Sequence, residues 1–117
     1  MSGSAEARLA GLAALAHGDS RGFSFEEDGR TSLGFVLRLG EAFYAYRNSC
    51  PHWNVDLDLG FGDFYAADLD HVFCRNHGAL FAPTTGECVF GPCVGQRLSP
   101  LDVHVDGGDL IVRIPAS

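Results

Sequence analysis

The chain of 117 residues contains no lysine: all eight cations are arginines, set against 15 Asp and Glu, for a formal net charge of −7. That acidity argues against a nucleic-acid partner, whose phosphates would repel it, and suits steering toward a basic protein instead. The absence of lysine itself has no functional account. Long apolar runs are also missing, and none approaches the ~20 residues needed to cross a bilayer. The first eight residues lack a basic segment and include Glu6, and the apolar stretch Leu9 to Ala16 is interrupted by Gly11. No signal peptide is recognisable, so the expected location is cytoplasmic. In that compartment four cysteines read as ligands or thiols rather than a disulfide framework. A Gly-rich fingerprint opening a helix is absent too, which leaves no flavin or nicotinamide site.

What is present is a single modest domain, residues 1–117, with 46% apolar residues and 15 glycines. Short apolar runs divided by turn residues predict β structure. Residues 1–8 are expected to be flexible. Leu9 to His17 favours helix by propensity, with a short edge strand and one helical turn equally open. Strands are expected at Phe23–Glu26, Ser32–Leu39 and Phe43–Tyr46, forming a meander before residue 48. Short strands follow at 65–67, 71–73, 79–82 and 87–90. The clearest hairpin is at the end, where Leu101–Val105 and Leu110–Ile114 flank Asp106-Gly107-Gly108-Asp109.

Two motifs carry the chemistry. Cys50-Pro51-His52 is a Cys-x-His pair, Cys74-Arg75-Asn76-His77 is a Cys-x-x-His pair, and 21 residues separate them. Two thiolates and two imidazoles suit zinc or an iron–sulfur cluster. Structural zinc sites commonly pair Cys with Cys and His with His in sequence. Here each pair mixes one Cys with one His. A Rieske [2Fe–2S] centre needs that mixture, because one of its irons carries two Cys and the other two His. A glycine at position 78 lets backbone amides approach a negatively charged cluster.

Cys50-Pro51-His52 with Cys74-x-x-His77-Gly78 resembles the Rieske motif. The likeness continues through Ala79-Leu80-Phe81, Thr85-Gly86, Gly91-Pro92 and the terminal hairpin, covering roughly residues 30–114. It implies an all-β fold of stacked antiparallel sheets with an inserted two-loop cluster-binding subdomain. The loops would lie at about 48–54 and 74–79, with a third at about 88–95 covering the cluster. Carried over, Cys50 and Cys74 would hold the buried iron, and His52 and His77 the outer iron, near solvent. The resemblance implies a one-electron carrier with one [2Fe–2S] cluster per chain and no catalysis of its own. Its partners would be a reductase and an oxygenase, such as an aromatic-ring-hydroxylating dioxygenase, docking near the exposed His edge. The alternatives are a nitrite-reductase-like small subunit, a cluster-based redox sensor and a structural zinc domain.

Respiratory Rieske proteins usually carry hydroxyl residues where this chain has Ala79 and Phe81, and a loop-to-loop disulfide for which cysteines beside the ligand pairs are lacking here. The resemblance is therefore to the soluble, low-potential ferredoxins, with an expected potential of about −150 mV. The spacing between ligand pairs is a few residues longer than usual for that type, the extra residues falling in 58–70. Residues 53–73 include Asp56, Asp58, Asp63, Asp68 and Asp70 without any cation, either a solvated loop or a docking surface. Cys88 and Cys93 are expected as buried or free thiols, with a disulfide pinning the third loop or a redox-active switch as the alternatives. Trp53 is expected to pack in the core or its loop, and His17, His71 and His104 to have no ligand role.

Overall fold

The computed structural model describes residues 5–27, 29–49, 57, 64–66, 70–75 and 78–114. Among them ten strands form two antiparallel sheets, as the sequence pattern predicts. Strands β1 (Ala5–Leu9), β2 (Ser20–Glu27), β3 (Arg30–Leu39), β4 (Ala42–Arg47), β9 (Pro100–Asp106) and β10 (Asp109–Ile114) make the larger sheet, in the order β1-β10-β9-β4-β3-β2. Strands β5 (Tyr65–Ala66), β6 (His71–Phe73), β7 (Leu80–Phe81) and β8 (Cys88–Phe90) make the smaller one in sequence order. The insertion between β4 and β9 therefore builds its own sheet.

The expected meander is β2-β3-β4, and the terminal hairpin is β9-β10, with Asp106 facing Asp109 across Gly107-Gly108. Ala5–Leu9 form β1, where Ala5 faces Ile114 and Leu9 faces Leu110. Side chains explain the docking: Arg8 donates to Asp106 and Asp109 at 2.7 Å each, and the Gly11 amide donates to Asp109 at 2.9 Å. Within Leu9 to His17 there is no long helix: Leu9 ends β1 and a single 3-10 turn follows at Leu12–Ala14. His17 is exposed, yet its Nδ1 accepts the Gly40 amide at 2.7 Å and so ties this segment to the β3–β4 turn.

The run Phe35-Val36-Leu37 is fully buried because β3 has a core on each face. Successive side chains of a strand point to opposite faces. Val36 joins Phe25, Ala45, Leu101, Leu110, Val112 and Ile114 inside the larger sheet. Phe35 and Leu37 face the other way, toward Tyr46, Leu57, Phe64, Val72, Phe81 and Leu98. Phe35 and Phe64 stack with centroids 4.4 Å apart. This second core packs the smaller sheet against β3.

Candidate metal centre

Of the four predicted ligands, Cys74 falls in the described residues, and Cys50, His52 and His77 lie outside them, as do Trp53 and the aspartates 56, 58, 63 and 68. Among the described residues no group of three or more metal-binding side chains comes together.

Cys74 leaves the end of β6 and is completely buried, in the same core as Val72, Ala79, Phe81 and Cys93. Its amide donates to the Ala79 carbonyl at 2.9 Å, which ties Cys74 to the residue before β7. Gly78 has φ 68°, the left-handed conformation that glycine adopts without a Cβ clash. The Arg75 amide donates to the Leu57 carbonyl at 2.8 Å, and the Leu57 amide donates to Asn48 Oδ1 at 2.8 Å. Asn48, Leu57 and Arg75 are thereby linked in series.

The third loop follows β8. Gly91 there has φ 106°, and a Cβ on it would lie 2.9 Å from Ala79 Cα. Only glycine lets this loop settle so closely on the second ligand loop. Its flanks are apolar and open: Val89, Phe90 and Val94 are 50%, 63% and 63% exposed. Beneath them Cys88 and Cys93 are buried, and the Cys88 thiol donates to the Phe90 carbonyl at 3.3 Å.

Ala79 and Phe81 are both buried and offer no hydroxyl at the site. His71 pairs with Ala66 in β6, and His104 is exposed on β9 opposite Ile111. Asp70 accepts a hydrogen bond from the Tyr65 hydroxyl, whose pKa is pushed up to about 12 by burial and by that carboxylate. Sequence reasoning missed Asn48. It is the one buried polar side chain among the described residues, and its partner lies nine positions away, at a distance no periodicity reveals.

The buried thiol of Cys74, beside a loop whose close approach only glycine allows, fits a thiolate ligand of a [2Fe–2S] cluster. Residues 10–110 match the model of the Rieske [2Fe–2S] domain. The chain belongs to the Rieske family. It is a Rieske [2Fe–2S] protein whose function is one-electron transfer. It is 34% identical over 80 residues to the 3-phenylpropionate/cinnamic acid dioxygenase ferredoxin subunit of Shigella flexneri, spanning 68% of this chain and 71% of that one. Ferredoxin CarAc of Metapseudomonas resinovorans is 32% identical over 77 residues, covering 66% of each. Among solved structures, the ferredoxin of carbazole 1,9a-dioxygenase from Nocardioides aromaticivorans superposes with a TM-score of 0.70 at 32% identity, covering 95% of this chain and 98% of that one. The stacked-sheet Rieske fold expected from the motif is the fold observed. Among the described residues no helix is long and apolar enough to cross a membrane.

Proposed function

We infer that this Rieske protein passes single electrons from a reductase to an oxygenase of the aromatic-ring-hydroxylating kind, in the cytoplasm. The observation that carries the reading is its near end-to-end likeness to a dioxygenase ferredoxin, 95% of this chain against 98% of that one. Cys50 and Cys74 hold the inner iron, and His52 and His77 the outer one. When bound, the cluster supplies reversible one-electron chemistry.

The residues around it do three things. Cys74 is fully buried, so an iron held by its thiolate would be screened from water, which supports the assignment of cysteine to the inner side. Ala79 and Phe81 withhold the hydroxyl donors that would favour the reduced state, which supports a potential near the bottom of the Rieske range, about −150 mV. Val89, Phe90 and Val94 present apolar surface beside the third loop, which supports docking of the redox partner at the cluster end, near the histidine edge. Exposed apolar groups clustered in this way suit a protein contact.

The test is EPR of the chemically reduced protein together with a redox titration. The expected result is the spectrum of a mixed Cys/His centre, a midpoint near the low end of the range, and reoxidation by the oxygenase. An all-Cys spectrum would overturn the ligand assignment, and a strongly positive midpoint the low-potential reading. His52→Cys is expected to shift the spectrum toward that of an all-Cys centre or to abolish the cluster.

A further inference from the structure

Asn48 lies two residues before Cys50, at the end of β4, and is 7% exposed. Its backbone amide donates to the Leu33 carbonyl at 3.0 Å, which fixes it to β3. Its Oδ1 accepts the Leu57 amide at 2.8 Å, and the Leu57 carbonyl accepts the Arg75 amide at 2.8 Å. Leu57 is itself fully buried in the second core. These contacts run in series from β3 through Asn48 to Leu57, and on to the residue following Cys74.

We propose that Asn48 is a positioning residue that sets the separation of the two ligand loops, using its side-chain carbonyl to hold Leu57 and, through Leu57, Arg75. The proposal rests on the assignment of Cys50, His52, Cys74 and His77 as ligands. Four ligands on two loops define one geometry only if the loops are held at a fixed distance. The smaller sheet reaches only the second ligand pair, since β6 ends at Phe73 and β7 begins at Leu80. No strand of either sheet joins residue 48 to residue 57 among the described residues. The Asn48 side chain makes that connection. An amide oxygen is well suited to it, accepting a backbone N–H in a buried place without introducing a charge, whereas an apolar side chain would leave the Leu57 N–H unsatisfied.

Asn48→Leu and Asn48→Asp test this in the cluster-loaded protein. The leucine keeps the approximate volume and removes the acceptor; the aspartate keeps an acceptor oxygen. Hydrogen exchange by mass spectrometry reads the Leu57 and Arg75 amides, and EPR of the reduced protein reads the cluster geometry. Asn48→Leu is expected to speed exchange at both amides by roughly tenfold, from the loss of one buried bond, and to alter the g-values. Asn48→Asp is expected to keep the wild-type spectral pattern and slow exchange at Leu57, with the midpoint moved to lower potential by the added negative charge. If Asn48→Leu does not fold, the aspartate variant decides, and loss of its slow exchange overturns the proposal. Wild-type exchange and spectra in Asn48→Leu, or equal damage in both variants, also overturn it. Failure of the ligand assignment is distinguishable, because it would appear in the wild-type spectrum.

Discussion

The contact between Gly91 and Ala79 can be weighed against a control within the same loop. Gly91 has φ 106° and Gly95 has φ 99°, so an alanine at either position meets similar backbone strain. Their surroundings differ. A Cβ at Gly95 meets nothing within 4 Å, whereas one at Gly91 would lie 2.9 Å from Ala79 Cα and 3.1 Å from Ala79 Cβ. The shared strain is about 1–2 kcal/mol, the order seen for an L-residue in the left-handed region. Gly91→Ala adds a steric term of about 1–3 kcal/mol, typical of overpacking against a buried site that cannot yield. The clashing atom is backbone, so the upper half of that range is expected. With roughly 4 °C lost per kcal/mol in a domain of this size, Gly91→Ala should melt about 8 °C or more below Gly95→Ala. Cluster loss makes unfolding irreversible, so all proteins are compared at one scan rate, following both circular dichroism and visible absorption. The absorption should fade first in Gly91→Ala, because the displaced loop admits water to the cluster before the sheets separate. Equal midpoints for the two variants would refute the close packing of the third loop.

Three other outcomes are expected. Glu27 accepts two hydrogen bonds from Arg47, at 2.6 and 2.9 Å, and Arg47, with Ser32, lowers its pKa from 4.5 to about 2. A carboxyl lowered in the folded state stabilises above its ordinary pKa, and loses that contribution as pH falls through the window from about 4.5 to about 2. Glu27→Gln should therefore cost about 1–2 kcal/mol at neutral pH and almost nothing near pH 2; a pH-independent difference in urea midpoint would contradict this. Tyr46→Phe removes the donor to the Pro83 carbonyl at 2.8 Å and should cost about 1 kcal/mol, read as a lower denaturant midpoint without change in EPR. Phe90→Ser with Val94→Ser should slow electron transfer to the oxygenase several-fold while leaving the midpoint potential unchanged; an unchanged rate would place the docking surface elsewhere.

Much of the fold was legible because its signals are local. The β9-β10 hairpin announces itself by alternation and a Gly-Gly turn, and the strands of the meander by their dividing turns. The candidate site was legible as a motif, since mixed Cys/His pairing is a property of the sequence. What escaped was set by distant partners. Nothing in residues 5–9 says that they pair with residues 110–114, for the information lies in Arg8 finding Asp106 and Asp109 across the fold. The place of Asn48 was equally hidden, because an asparagine before a loop looks like any turn residue until Leu57 stands opposite it. Gly91 was visible as a turn, but its close approach to Ala79 required the third loop to be seen against the second.

The pairing of β1 with β10 also has a bearing on synthesis. β1 finds its hydrogen-bonding neighbour in β10, so its pairing edge stays open until residues 110–114 have left the ribosome. The β2-β3-β4 meander, by contrast, has all its internal partners within a short stretch and is able to form early. An open strand edge waiting that long invites association with other chains. Alternating Glu6 and Arg8 on β1 puts a charge at every second position of the waiting edge, which disfavours association with other chains, and Arg8 later clasps the β9-β10 turn through Asp106 and Asp109.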